Sequence, residues 1–478
     1  MNKFRIAFTK LYINILLVLM LIVIYYCKFY LKILSQGDIL PAIILIGIIT
    51  LELFIIVKKV DVKWKLIFIL LLGFILRGLW LLNINSIPTS DFRVIYECAQ
   101  DLLTGDTNAF WGSGYIARFP HLTIMVLYMA LMIKVFPVSN LIAMKFVNLL
   151  SGVLIIYLVY LLAREIFNSK KLGLYAAGLG SVFSPLVTYV GVYCTENIAI
   201  PFYILSTYIF ILVVKNKKSK YYLILSGVIL SIGNLFRMVA TIMIIAFAMY
   251  LIIYAKDKFL ERVKKILLYL APYLLVLFTV SSLLHWIGIT EFPLWKGSEP
   301  KVTSILKGSN IERGGRWNEE DASIVNKYDY DYNKISEASR KIIIKRLTTT
   351  KPLELAKFYL NKFAKQWNEG DFGGIFWSKL NVPEEEIIID VSLELLEIVY
   401  LFVMILVFLG IINRRKNNKN YEINLIYLIL CGYGVMYLVT ESQARYSLII
   451  AWIFIILATE GIRFLIRKSN REEDFEKI

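Results

Sequence analysis

The stretch HLTIMVLYMALMIKVF, residues 121–136, decides how this chain is threaded. Apolar runs recur from end to end, and twelve others read as spans: 11–30, 40–57, 66–83, 142–163, 172–190, 197–214, 221–236, 238–254, 265–285, 394–412, 421–439 and 446–464. If 121–136 does not cross, the connections KKVDVKWK, REIFNSKK, KNKKSK, KDKFLERVKK and NRRKNNKN and the C-terminal tail fall on one side, and all are basic. The other side then receives residues 31–39, CTEN, the turn at Arg237 and TESQAR, which are poor in Lys and Arg. That is the positive-inside pattern. If 121–136 crossed once, KNKKSK and NRRKNNKN would face outward against it. The stretch therefore reads as an interfacial or re-entrant helix of the outer face.

The 478 residues are 58% hydrophobic and 19% charged, which takes the chain out of the range of soluble domains. No alternation of apolar and polar residues supports a barrel. The expected architecture is all-α and integral to the membrane, with about twelve spanning helices, both termini cytoplasmic, and two outer segments, 84–141 and about 286–393. The N-terminal run has basic residues before it and no small-residue cleavage site, so it reads as a retained first span. Expected divisions are an N-terminal pair of spans (1–65), a core (66–285), a large outer segment (286–393), C-terminal spans (394–464) and a tail (465–478). Basic loops facing anionic lipid account for the net charge of +17. Being spread over many loops, they do not point to nucleic acid. Cys27, Cys98, Cys194 and Cys431 lack metal or disulfide spacing and read as small core residues. Two histidines, His121 and His285, give no metal signal.

Residues 86–106, SIPTSDFRVIYECAQDLLTGD, leave a span and at once form an amphipathic pattern. Phe92, Ile95, Tyr96, Cys98, Ala99, Leu102 and Leu103 share one arc, opposed by Arg93, Glu97, Gln100, Asp101 and Thr104. Such a helix lies flat in the interface, capped by Thr89 or Ser90 and ended by Gly105. Asp91 falls at the edge of the apolar arc. An acid there complements the helix dipole, for roughly 0.3–1 kcal/mol. It could equally serve as a general base meeting a lipid-borne substrate at the water–lipid boundary.

The arrangement of a span, then TSDFRVIY, then FWGSGYIARFPHLTIMVLYMALMIKVF (110–136) resembles the GT-C superfamily of membrane glycosyltransferases. The closer likeness is to the protein O-mannosyltransferase and lipid A aminoarabinose transferase branch, which uses polyprenyl-phosphate sugars. The run from NLLSGVLII to YCTENIAI (148–200) looks like the same family's next core elements, and NLFRMVATI (234–242) and ESQARYSLIIAWIFIILA (441–458) like its later arginine-bearing turns. The likeness covers most of 66–285 and the last two spans. Two departures stand out. Many relatives carry two adjacent acids where this chain has Asp91 and Phe92, and two extra spans precede the core.

The resemblance implies an inverting enzyme that moves one sugar from a polyprenyl-phosphate carrier to an acceptor hydroxyl of a wall polymer, surface glycan, lipid or protein. The reaction would occur on the outer face of the plasma membrane, and in a bacterium the carrier would be undecaprenyl phosphate. Asp91 would be the base, with Glu196 on the same side. Arg237 and Arg445 would hold the departing phosphate, because a guanidinium offers two parallel hydrogen bonds. Read from its own residues, the polar segment SNIERGGRWNEEDASIV (309–325) is either a structural cap over the membrane domain or a lid, in which Arg313 and Arg316 would touch donor phosphate and Trp317, Trp367 or Trp377 would stack on sugar. Tyr115 joins Trp317 as a sugar or acceptor contact. The family includes metal-using and metal-independent members, so a divalent ion on Asp91 and Glu196 stays open. Glu441 and Arg445 have i,i+4 spacing suited to an ion pair. Arg77 and Lys145, toward outer span ends, are expected to snorkel, and Glu52 to face a neighbouring helix or the cytoplasm. Other classes remain: a transporter of lipid-linked sugar, or a polymerase using diphosphate-linked oligosaccharides. Few charges lie within the spans and no repeat is visible, which disfavours transport.

Overall fold

In a computed structural model, residues 2–31, 40–416 and 421–475 are described. The expected outer connection 31–39 lies almost wholly outside them. All twelve expected spans are helical, and among the described residues there is no strand, only one isolated bridge between Ile84 and Ile387. Among the described residues, seven helices are long and apolar enough to cross a membrane, or up to nine if two bent pairs count as one span each, and four shorter apolar helices accompany them.

Residues 121–136 do not form a straight span. The helix Thr123–Val135 has 13 residues, about 20 Å against about 30 Å of hydrocarbon, and the pair Asn108–Arg118 and Pro120–Val135 bends by 104°. The two ends of this outer segment also meet. The hydroxyl of Tyr193 lies 3.2 Å from the carbonyl of Ser86, where the segment begins, and 3.5 Å from that of Leu141, where the next span starts. A chain that leaves and re-enters the bundle at one end has not crossed between. At the opposite end the basic connections gather: Lys217 pairs with Glu165 at 2.5 Å, Lys220 with Glu261 at 3.0 Å, and Arg5 donates to the carbonyl of Ala255 at 3.2 Å.

Small residues set the closest helix contacts, as in lipid, where packing replaces the hydrophobic effect as the force between helices. Leu393–Lys416 packs along Ala451–Phe475 through Gly410 and Gly461. A Cβ on Gly461 would stand 2.0 Å from the carbonyl oxygen of Leu406, and one on Gly410 would stand 2.5 Å from that of Leu457. The first helix, Asn2–Leu31, packs on Leu393–Lys416 and on Pro352–Gln366, far from it in sequence.

The expected span 172–190 is broken, with Lys170–Val182 and Ser184–Gly191 meeting at 59°. Pro185 has no N–H to offer the carbonyl of Ser181, and Phe183 is extended, so carbonyls are left open at the break. Arg77 fills them. Fully buried, it donates to Ser181 and Gly180 at 3.0 Å and to Gly73 at 3.1 Å. It does not snorkel, because the break supplies the acceptors that water would have supplied. Lys145 is likewise buried rather than extended to the surface. Glu52 faces this neighbour as expected, accepting from the hydroxyl of Ser181 at 2.5 Å.

The segment after Phe259–Trp286 folds over one end of the bundle. Asn318 caps a short helix, accepting from the N–H of Asp321 at 2.9 Å, and the helices Tyr332–Thr349 and Pro352–Gln366 follow as read. Leu306, Ile324, Val325, Ile335 and Ile343 form its own apolar centre. Two side chains fasten it to the bundle. Lys362 donates to the carbonyls of Gly308, Leu438 and Thr440 at 2.6–2.8 Å. Gln366 grips the turn before the last span: its amide donates to the carbonyl of Gln443 and the hydroxyl of Ser447 at 2.7 and 2.8 Å, and its oxygen accepts from Ser442 at 2.6 Å.

Candidate active site

Asp91 opens the helix Asp91–Thr104, whose buried face carries Phe92, Ile95, Cys98 and Ala99, and Gly105 ends it in the left-handed region at φ 90°. Neither Thr89 nor Ser90 caps it through a side-chain bond; Ser90 instead sits at φ 50°, ψ −129°, a sparsely populated conformation that costs a non-glycine residue about 1–3 kcal/mol. That bend directs the chain from the end of the Val62–Asn83 span into the helix and sets Asp91 at the junction.

There Asp91 meets a residue 354 positions away. The Oδ2 of Asp91 accepts from Nη2 of Arg445 at 2.7 Å. The carboxylate side chain keeps 43% of its exposure while the guanidinium keeps 15%, so the pair is half open to its surroundings. Aromatic rings shape the arginine's seat: its guanidinium carbon lies 4.9 Å from the ring of Trp377, 5.4 Å from Tyr446 and 5.6 Å from Phe92. Trp377 in turn packs edge-on to Phe92 at 5.6 Å.

A second pair stands beside the first. Nε of Arg237 lies 3.2 Å from Oε1 of Glu196, an ion pair not aligned as a hydrogen bond, and the guanidinium lies 5.3 Å from the ring of Tyr446. Glu196 starts the helix Glu196–Val214, is buried, and takes a hydrogen bond from Thr195 at 2.9 Å. The backbone of Arg237 is fixed by Tyr203, whose hydroxyl donates to its carbonyl at 2.7 Å. Asp91, Arg445, Tyr446, Arg237 and Glu196 thus form one chain of contacts at one end of the bundle. The Nε atoms of both arginines are buried without a hydrogen-bond partner.

Tyr115 lies near Asp91, and burial followed by that carboxylate pushes its phenol well above the ordinary range. His121 was not singled out for this site, yet it stands close to Arg237 and Lys301. Burial and then those two positive charges push its imidazole down, so it is neutral at pH 7. The signal in the sequence was its place directly after the aromatic, Gly-rich stretch.

The other expected residues are placed as follows. Arg316 and Trp317 sit on an exposed turn, where Arg316 faces Glu369 at 3.6 Å, and Arg313 is exposed beside them. That turn touches the Arg445 loop through the backbone, the N–H of Ser442 donating to the carbonyl of Gly315 at 2.9 Å. Trp367 is buried against Tyr437 and Phe454 and is a core residue, closed to sugar. Glu441 does not pair with Arg445, because the chain before Ala444 is extended and the helical spacing does not apply. It pairs with Lys307 at 3.2 Å and accepts from the hydroxyl of Tyr446 at 3.2 Å.

Among the described residues no three His, Cys, Asp or Glu side chains converge as metal ligands. Asp91 and Glu196, the two acids expected to share an ion, each face a guanidinium instead.

Residues 121–286 match the family model of dolichyl-phosphate-mannose-protein mannosyltransferases. Over these residues the expected resemblance to the protein mannosyltransferase branch holds. The matched part includes Glu196 and Arg237, while Asp91 and Arg445 lie on either side of it. Among solved structures, the archaeal oligosaccharyltransferase AglB from Archaeoglobus fulgidus, in complex with an inhibitory peptide and a dolichol-phosphate, is similar at 13% identity and a TM-score of 0.44, over 87% of this chain and 52% of that one. The A. fulgidus oligosaccharyltransferase in complex with Zn and sulfate is similar at 12% identity and a TM-score of 0.42, over 87% of this chain and 50% of that one. The chain spans about half the length of these structures. No curated protein matches it significantly.

Proposed function

We propose that the protein is an inverting glycosyltransferase that moves one sugar from a polyprenyl-phosphate carrier to an acceptor hydroxyl on the extracytoplasmic face. The observation that carries this reading is the half-open Asp91–Arg445 ion pair at 2.7 Å, with Arg237 and Glu196 beside it, at the bundle end away from the basic connections. Asp91 takes the acceptor proton as the hydroxyl attacks the anomeric carbon. Arg445 and Arg237 stabilise the phosphate that departs from the opposite side of that carbon. The exposed turn with Arg313, Arg316 and Trp317 borders the Arg445 loop and suits a lid over donor and acceptor, and Tyr115 suits a contact to either. The positive-inside pattern supports an outward-facing site in the plasma membrane with both termini cytoplasmic. The buried charges Arg77 and Glu52 are tied up at a helix break, which leaves them no role in a polar path and weighs against transport.

The test compares cells carrying the wild type, Asp91→Asn and a deletion at equal membrane levels. Asp91→Asn is expected to match the deletion, losing one surface sugar while its polyprenyl-phosphate donor accumulates. Retention of the sugar in Asp91→Asn would remove Asp91 as the base.

A further inference from the structure

The resting site contains a contradiction that suggests its own resolution. Both guanidiniums suited to a donor phosphate are already neutralised by carboxylates, and one of those carboxylates is the proposed base. We propose that Asp91 occupies the phosphate position on Arg445 in the resting protein, and that a lipid-borne phosphate must displace it, so that binding of the donor is what frees the base. This rests on the glycosyl-transfer reading for its catalytic consequence, although the exchange itself is a binding event.

Five observations support it. Asp91 contacts Arg445 through one oxygen and one Nη, a single-point bond where a carboxylate commonly makes two with arginine. Nε of Arg445 is buried without a hydrogen-bond partner, so its fork keeps an unused donor, and Nε of Arg237 meets Glu196 as an ion pair without an aligned hydrogen bond. The guanidinium is the fixed member of the pair, walled by Trp377, Tyr446 and Phe92 and carried on a turn gripped by Gln366. The carboxylate is the exposed member, at 43% against 15%, and so the one with room to leave. Glu196 is buried and held by Thr195, so Arg237 keeps its acid while Arg445 changes partner.

The charge balance follows. The donor is a phosphodiester with one negative charge. The bond from acceptor oxygen to anomeric carbon forms as the bond from anomeric carbon to phosphate oxygen breaks, the electron pair leaving with the phosphate and the acceptor proton passing to Asp91. The product phosphate monoester carries a second negative charge, and Asp91 has become neutral. Arg445 therefore has no ionised carboxylate competing for it when the phosphate charge is greatest. The base is withheld until a donor is present, and an acceptor arriving alone finds Asp91 engaged.

The experiment is a double-mutant cycle on the purified full-length protein in detergent, with geranylgeranyl phosphate as probe and its binding measured by titration. Asp91→Asn is expected to bind the probe about fivefold more tightly than wild type, the worth of a half-exposed ion pair no longer to be broken. Arg445→Gln is expected to bind it weakly, and the gain from Asp91→Asn is expected to vanish when Arg445→Gln is also present. A gain that persists with Arg445→Gln would mean simple charge repulsion, and no gain would mean no competition; either overturns the exchange. Wild-type affinity in Arg445→Gln would instead overturn the phosphate contact, a failure of the underlying reading. If Arg445→Gln does not fold, Arg445→Lys takes its place in the same cycle, since a lysine cannot reproduce the planar fork.

Discussion

Asp91 and Arg445 depend on their surroundings as much as on each other. Trp377 at 4.9 Å is the ring nearest the guanidinium of Arg445 and also packs on Phe92, the residue after Asp91, so one indole braces both sides of the pair. Trp377→Ala should weaken binding of a prenyl phosphate about three- to tenfold, through loss of a cation–π contact worth about 0.5–1 kcal/mol and of the packing behind it. Titration against the same probe checks this, and unchanged affinity would mean the ring is only filler. At this scale the sequence disclosed the charged residues and concealed their partners. Asp91, Glu196, Arg237 and Arg445 stand at span ends, where a charge draws attention. Nothing local pairs residue 91 with residue 445, and the one local rule available, the Glu441–Arg445 spacing, misleads because TESQ is extended. Trp367 and Trp377 look alike in sequence, and only packing separates a core residue from a wall of the site.

The elements were more legible, because a span is specified by the length of an apolar run and by little else. All twelve runs are helices. What hydrophobicity does not report is backbone continuity, and the break at Phe183 shows why: Pro185 signalled it, but the apolar run continued through it. Arg77 exists to serve that break. Its replacement by Met should cost about 2–4 kcal/mol, because the Ser181 and Gly180 carbonyls would be left buried without donors. Thermal unfolding of the purified protein reads this loss, and an unchanged midpoint would show that water or a shifted helix serves the carbonyls as well. Gly410 and Gly461, which fall within the runs 394–412 and 446–464, set the close approach of Leu393–Lys416 to Ala451–Phe475.

For the whole molecule, the threading followed from charge. Leaving 121–136 out of the count of spans puts every basic connection on one side, and the hydroxyl of Tyr193 lies beside both ends of the segment 84–141, which begins and ends at the same end of the bundle. The arrangement of the spans around one another was not legible: no feature of an apolar run names its neighbour, and the first helix packs beside the C-terminal ones. The result is a bundle whose basic end is occupied by lysine–acid pairs and whose other end holds the Asp91–Arg445 and Glu196–Arg237 pairs under a helical cover. The measurement that tests this account most directly is turnover by the purified protein in nanodiscs, supplied with a panel of labelled polyprenyl-phosphate sugars and hydroxyl acceptors. The account predicts that one donor yields free polyprenyl phosphate together with a glycosylated acceptor, and that Asp91→Asn lowers the rate by about 10²-fold or more. Equal rates for Asp91→Asn and wild type, or passage of intact donor across the bilayer without cleavage, would contradict it.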